Sequence, residues 1–268
     1  MVSSGWHHVT REAVEPGMAV ELKRLVPQAK NRADTLVIIP AYCEEANISR
    51  VVGNIREVQP SIDILVVDDG SSDRTRQVAQ DCGVHVVSHP INMGYGTALQ
   101  TGFKFALERG YDYVVQIDGD GQHDPAYIPQ LLAPILSQRA DIVLGSRFLD
   151  VESYQVPLAR RIGQVLFGAI ASGVLKQRIT DPTTGYQALN AKVLRLFASD
   201  IYPVDYPDAD VIIMVHLAGL KIDEIGVKMF PNAENKSMHS GLKPFYYVFK
   251  MVLSIIVTLL RERPKVAA

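Results

Sequence analysis

Asp118 and Asp120 stand one residue apart in Val115-Gln116-Ile117-Asp118-Gly119-Asp120-Gly121-Gln122-His123-Asp124-Pro125, at the end of an apolar run. Two carboxylates crowded at the end of a buried strand repel each other unless a cation neutralises them. Hard oxygen donors of this kind suit Mg²⁺ or Mn²⁺, held by one or two carboxylates and completed by substrate phosphates. An acidic turn capping the next helix is the packing alternative, and Gln122 and Asp124 could add ligands or simply shape that turn. A second acidic strand end is Val66-Val67-Asp68-Asp69-Gly70-Ser71-Ser72-Asp73. There Gly70 and Ser71 turn the chain, and Asp73 is placed to cap a helix. A carboxylate at this corner can accept from a base N–H or a ribose hydroxyl. A third is Ile39-Pro40-Ala41-Tyr42-Cys43-Glu44-Glu45, where Tyr42 could pack on a base and Glu44 could hold a ribose. Asp-Gly-Ser alone is common in turns, but three acidic strand ends in one sheet are hard to assign to packing.

The elements that must carry these residues are legible as an alternation. Apolar runs at 35–42, 64–69, 84–88, 113–118 and 141–146 are separated by helix-like stretches at 45–58, 74–82, 97–109 and 127–138. Short continuous apolar strands alternating with helices predict an α/β domain with a mostly parallel sheet covered on both faces. Right-handed crossovers bring the strand C-terminal ends to one edge, where ligands bind in such sheets. Beyond Arg147 the pattern changes. A helix over 158–175 precedes Asp181-Pro182-Thr183-Thr184-Gly185-Tyr186, a turn entering a strand. A helix near 210–218, a strand near 221–229 and an apolar helix over 244–260 follow. Residues 1–33 lack sustained periodicity apart from a short helix expected around Met18–Leu25. The domain reading is therefore a leader over 1–33, a catalytic α/β domain over 34–230 and a tail segment over 231–268.

A net charge of −2 supplies no global basic field, which argues against nucleic acid as partner. Cys43 and Cys82 sit inside α/β units, so reduced thiols in the cytosol are expected rather than a disulfide. No apolar core follows the N-terminal charges, so no signal peptide is expected. Charge is concentrated at one end: seven Lys/Arg between Lys228 and Lys265 face only Glu234 and Glu262, a local net of +5.

Asn92-Met93-Gly94-Tyr95-Gly96-Thr97-Ala98 invites a dinucleotide-binding reading, but it follows the third strand, and Leu99 breaks the G-x-G-x-x-G spacing. It reads instead as a close backbone approach to a ligand, or as a structural turn. Taken in order, PAYCEE, VVDDGSSD, NMGYGTALQTG, QIDGDGQHDP and GSRF resemble the family 2 glycosyltransferases of GT-A fold. The subgroup most resembled is the polyprenyl-phosphate glycosyltransferases of the dolichol-phosphate mannosyltransferase type. The resemblance runs from Thr35 to Arg147 and more loosely through DPTTGYQALN to Lys250.

That resemblance implies a nucleotide diphosphate sugar as donor, held by Pro40, Tyr42, Glu44 and Asp69. It makes Asp118 and Asp120 a D-x-D motif for Mg²⁺ or Mn²⁺, with Gln122 as third ligand. Arg147 and Arg161 would face an acceptor phosphate, joined by Lys236. The chain departs from the family pattern in having Cys43 where Asn is usual and Gly119 where Ala is commoner. Members with hydroxyl acceptors carry a Glu-Asp base motif near a late helix, and Tyr206-Pro207-Asp208-Ala209-Asp210 matches it only in part. A polyprenyl phosphate acceptor needs no base, because a phosphomonoester with a second pKa near ~6 is largely dianionic at neutral pH.

The closing helix carries an unbroken apolar run over Met251–Leu260. Its rise of about 15 Å is half of the ~30 Å hydrocarbon core. Lys250, Ser254, Thr258 and Glu262 form a narrow polar stripe on an otherwise apolar cylinder. That is the pattern of a helix lying in a membrane interface rather than spanning it. The helix over 158–175, with Arg160, Arg161 and Gln164 around an apolar face, reads similarly. Packing on the sheet or in a homo-oligomer is the alternative for both, and a membrane protein could complete the anchor. The expected location is thus cytoplasmic, peripheral on the cytoplasmic face of a membrane. Three other activities fit parts of the pattern: the same donor chemistry toward a glycan hydroxyl, a sugar nucleotidyltransferase, and a non-catalytic sugar-nucleotide-binding module. The second lacks its glycine-rich triphosphate loop, and the third is disfavoured by the intact carboxylate pair.

Overall fold

The computed structural model describes residues 34–149, 158–203, 207–230, 243–261 and 263–264, with side chains from Phe167 onward in the fifth helix and from Phe249 onward in the last. Among them, β1 (Thr35–Ala41), β2 (Asp63–Asp68), β3 (His85–Ser88), β4 (Tyr113–Gln116), β5 (Ile142–Ser146), β6 (Gln187–Asn190) and β7 (Ile222–Gly226) form one sheet in the order β3-β2-β1-β4-β6-β5-β7. All neighbouring pairs are parallel except those of β6, which runs against both β4 and β5. Six strands thus end on one edge, and β6 begins there. The chain steps from β1 outward to β2 and β3, then crosses back to place β4 on the other side of β1. This reversal opens a crevice at the carboxyl ends of β1 and β4, where open α/β sheets bind ligands.

The helices follow the expected alternation: α1 (Ile48–Val58), α2 (Thr75–Asp81), α3 (Tyr95–Glu108), α4 (Ile128–Leu136), α5 (Leu158–Leu175), α6 (Ala191–Phe197), α7 (Ala209–Leu217) and α8 (Lys243–Leu260). Successive β1 side chains point to opposite faces, so two cores form. Leu36 and Ile38 join Phe103, Phe167, Phe197 and Ile213 on one face. Val37 and Ile39 join Ile48, Ile55, Val115 and Ile128 on the other. Complete burial of each such aliphatic side chain contributes roughly 1.5–3 kcal/mol, which makes β1 the axis of the domain. The third helix packs closely on that axis, because a Cβ at Gly102 would lie 2.5 Å from Ile38 Cγ2. It stops at Gly110, whose φ of 69° follows backbone bonds from Gly110 N to Leu107 O and Tyr111 N to Ala106 O.

The short α6 has no counterpart in the sequence reading. Its seven residues hold too few turns for a periodic signal, and Asn190 caps it by accepting from Lys192 N and Val193 N. The described half of α5 buries Phe167, Ala171 and Leu175 in the core, where the helix packs against α7. The last helix buries Met251 and Ile255 in the same core and leaves Phe249, Leu253, Ile256 and Leu260 exposed. Its polar stripe is half-buried and partly turned inward, with Ser254 donating to Asp210. Lys250, Ser254 and Thr258 line a cavity of about 360 Å³ with Asp200, Tyr202 and Asp210. No helix among the described residues is long and apolar enough to cross a membrane. The short helix expected near Met18–Leu25, the whole leader, Tyr206 and Lys236 lie outside the described residues, as does the side chain of Arg161.

Candidate active site

The loop after β4 carries the D-x-D pair into the crevice. Asp118 Oδ1 accepts from the Tyr95 hydroxyl at 2.7 Å, and that hydroxyl accepts from Gln116 Nε2 at 3.0 Å. Asp118 N donates to His123 Nδ1 at 3.1 Å, so Nε2 carries the ring hydrogen and faces Asp118 Oδ2 at 3.7 Å. The ring is buried and stacked on Tyr186 with centroids 4.9 Å apart. Burial holds His123 below the usual imidazole range despite the pull of Asp118 and Asp120. It is therefore a neutral prop under the loop. Burial also pushes the Asp118 carboxyl up; the charge of His123 would lower it, and that of Asp120 raises it further. This mutual repulsion is what a divalent cation would relieve, and the donor set of two carboxylates beside an amide side chain fits Mg²⁺ or Mn²⁺ completed by phosphate oxygens. Asp120 at present accepts from Gln122 N at 2.9 Å and from Gln122 Nε2. No group of three or more His, Cys, Asp or Glu suited to a metal exists among the described residues.

At the first strand end, Tyr42 is 50% exposed at the crevice mouth. Cys43 adopts φ 56°, left-handed backbone in which Asn is enriched. That gives a physical reason for the Asn usual at this position. Glu44 N donates to Thr75 Oγ1 at 2.8 Å, and Glu44 Oε2 accepts from Asn47 Nδ2 at 2.7 Å. The backbone carbonyl of Pro40 lies under Gly119, where a Cβ would come within 3.2 Å of it. An Ala at 119 therefore needs only a small adjustment.

The resemblance assigns Asp69 to the nucleoside, at the end of the second strand. It is buried, and its carboxylate already gathers three partners: Met93 N at 2.8 Å, Gly94 N at 2.8 Å and His89 Nδ1 at 2.7 Å. His89 Nε2 in turn meets Thr101 Oγ1 at 2.9 Å. A Cβ at Gly70 would lie 2.4 Å from the backbone of Ile91, so this corner and the loop over 90–94 are in direct contact. The glycine-rich segment is thus bound to the second strand end, and Gly94, at φ 97°, starts α3 with Tyr95 aimed at Asp118.

Arg147 is also committed. Its Nε and Nη2 donate to Asp181 Oδ2 and Oδ1, each at 2.6 Å, and Nη2 reaches Thr183 Oγ1 at 3.0 Å. Asp181 is wholly buried and also accepts from Arg147 N. The charge of Arg147 is near enough to Asp118 to favour its ionised form. The loop around Asp181 is stapled by Thr184 Oγ1 to Gly145 O at 2.7 Å and by Glu224, which accepts from Thr180 N and Asp181 N. Antiparallel register between β4 and β6 pairs Gln116 with Gln187, and so delivers Gly185 to Asp118. A Cβ there would sit 2.6 Å from Asp118 Oδ2 and 3.0 Å from the Tyr95 hydroxyl. Tyr95, His123, Asp181 and Gly185 are the residues the sequence reading did not assign to the site. They all lie inside the motifs quoted, yet only the pairing of strands brings them to Asp118.

Asp210, a secondary candidate for a base, is buried. Its Oδ1 accepts from Asp208 N at 3.0 Å and Val211 N at 2.9 Å, and its other oxygen from Ser254 Oγ. Burial pushes its pKa up against those bonds.

Residues 36–197 match the sequence profile described as glycosyl transferase family 2. An undecaprenyl-phosphate mannosyltransferase of Micrococcus luteus is 36% identical over 171 residues, covering 62% of this chain and 70% of that protein. A UDP-N-acetylglucosamine–dolichyl-phosphate N-acetylglucosaminyltransferase of Methanococcus voltae is 28% identical over 250 residues, covering 84% and 99%. Among solved structures, glucosyl-3-phosphoglycerate synthase from Mycobacterium tuberculosis, in complex with Mn²⁺ and UDP-glucose, superposes with a TM-score of 0.59 at 21% identity, covering 93% of this chain and 84% of that one.

Proposed function

This chain belongs to glycosyl transferase family 2 and is a glycosyltransferase of GT-A fold, and from that premise we propose that it moves a sugar from a nucleotide diphosphate sugar to a polyprenyl phosphate in a metal-dependent reaction. The observation that carries the reading is the Asp118–Asp120 pair, crowded at the point where strand order reverses. The names of the Micrococcus and Methanococcus relatives support the acceptor class. So does Asp210: with both oxygens held by protein donors, it is poorly placed to take a proton from an acceptor hydroxyl. A phosphate acceptor makes no such demand.

Asp118, Asp120 and the Gln122 amide oxygen would hold Mg²⁺ or Mn²⁺, which when bound supplies Lewis-acid stabilisation of the departing diphosphate. The nucleoside lies against Tyr42, with Pro40 and Glu44 at its edge. Asp69 shapes the wall of that pocket by fixing the 90–94 loop. An acceptor phosphate oxygen attacks the anomeric carbon as the bond to the diphosphate oxygen breaks, giving a lipid-linked sugar and a nucleoside diphosphate. Orientation and positive charge do the remaining work. With Arg147 bound to Asp181, direct phosphate contact falls first to Arg161 and Lys236, while Arg147 contributes its field and the shape of the 180–184 loop. The exposed seam Phe249–Leu253–Ile256–Leu260 and the basic 228–265 segment suit a peripheral position on a membrane surface.

Incubation with radiolabelled nucleotide sugars and a polyprenyl phosphate, followed by organic extraction, tests this directly. Label in the organic phase that vanishes with chelator and in Asp120→Asn is the expected result. Label transferred only to water-soluble glycans refutes the lipid acceptor, and full activity under saturating chelator refutes the metal assignment.

A further inference from the structure

The geometry points to Tyr95 as a positioning residue for the first carboxylate of the D-x-D pair, an inference that rests on the metal reading above. Four observations converge on it. Its hydroxyl is directed from both sides, accepting from Gln116 Nε2 at 3.0 Å and donating to Asp118 Oδ1 at 2.7 Å. Gln116 is itself almost fully buried, so the donor behind Tyr95 has little freedom. On the other side of Asp118, Gly185 lies in direct contact with the same pair, since a Cβ there would sit 2.6 Å from Oδ2 and 3.0 Å from the Tyr95 hydroxyl. Lastly, the backbone that presents Tyr95 is anchored by Asp69 to Met93 N and Gly94 N, with His89 and Thr101 behind.

The consequence is a continuous chain of contacts from the second strand end to the metal corner: His89, Asp69, Gly94, Tyr95, Asp118. A carboxylate held this way meets a cation with one oxygen already oriented and hydrogen-bonded. Such outer partners of metal ligands typically change affinity by about 10–100-fold when removed. Tyr95 needs no contact with sugar or nucleotide to act this way, since it works through Asp118. It also makes the loop over 90–94 a shared wall, so that disturbance at the Asp69 corner reaches the metal corner without any change in Asp118 itself.

The test is Mn²⁺ affinity of the full chain, measured with the metal alone by electron paramagnetic resonance of free Mn²⁺, for wild type and Tyr95→Phe. The ring is kept and only the hydroxyl is lost. The expected result is a loss of about 10-fold or more in Mn²⁺ affinity, with the metal concentration needed for transfer raised in step and the maximal rate recovered at excess Mn²⁺. A purely structural role would not produce that rescue. Gln116→Leu, which leaves Tyr95 in place but removes its lateral partner, should weaken Mn²⁺ binding in the same direction and serves if Tyr95→Phe fails to fold. Wild-type Mn²⁺ affinity in both variants overturns the positioning role while leaving the D-x-D assignment standing. Absence of Mn²⁺ binding and of metal-dependent transfer in the wild type overturns the metal reading and this inference with it.

Discussion

Arg147→Ala separates two accounts of the same side chain. The sequence resemblance directs Arg147 toward an acceptor phosphate, which makes its removal harmless to folding. The structure instead binds it in both directions to Asp181, with two bonds of 2.6 Å and a third from its backbone N. Asp181 is completely buried, so truncation of Arg147 leaves a carboxylate without its cation in a site closed to water. Breaking a buried pair from one side costs about 3–5 kcal/mol. For a chain of this size each kcal/mol shifts Tm by about 2–4 °C, so a fall of roughly 6–20 °C is expected in a thermal melt followed by circular dichroism. Part of that loss should return when Asp181→Leu is combined with Arg147→Met, because an apolar pair of similar volume avoids the uncompensated charge. Transfer should drop in both single and double variants, since the loop over 180–184 carries Gly185 against Asp118. A fall of less than about 2 °C in Arg147→Ala, well below that range, would refute the reasoning: the pair would then be open in solution, and the side chain available to phosphate after all.

Gly185→Ala pushes Asp118 from a backbone that cannot yield easily, and a displacement near ~1 Å in a catalytic group can cost on the order of 100-fold in rate. Steady-state transfer should fall by that order while the melt moves little; an unchanged rate would mean that Asp118 has another working orientation. Cys43→Asn places a residue suited to left-handed backbone at φ 56° and should raise stability by up to about 1 kcal/mol, read from urea midpoints. A loss of stability would show that the Cys43 contact with Ser72 outweighs the backbone gain. Burial raises the Asp141 carboxyl, but bonds from Lys221 N, Asn190 and Lys192 pull it net below the usual carboxylate range. Its folded pKa being the lower one, the stability it contributes is present above about pH 4 and is lost as pH falls through the folded value. The advantage of wild type over Asp141→Asn in melts should therefore shrink from pH 6 toward pH 3, and a constant difference would contradict the assignment.

The alternation of apolar runs with helical stretches determined, without any structure, that this chain builds a mostly parallel α/β sheet. The three acidic strand ends marked the sheet edge to which we assign its chemistry. Local pattern suffices there because β1, β2 and β4 are buried on both faces and their ends must lie on one edge. It also suffices for the D-x-D pair, whose two acids are neighbours in the chain. Tertiary structure alone decided what each charged residue meets. Arg147 and Asp181 are 34 positions apart, and nothing in either motif announces that they neutralise each other. Asp69 reads as an open carboxylate until the loop after β3 folds over it and supplies two backbone N–H groups. The direction of β6 was equally hidden, since a four-residue strand with three buried side chains looks alike in parallel and antiparallel pairing, and that direction is what sets Gly185 against Asp118. The polar stripe of α8 was visible as a stripe, but periodicity marks only which residues share a face. Whether that face turns to water or to Asp210 depends on the partner packed against it, and Asp210, on α7, stands 44 positions from Ser254 in the chain.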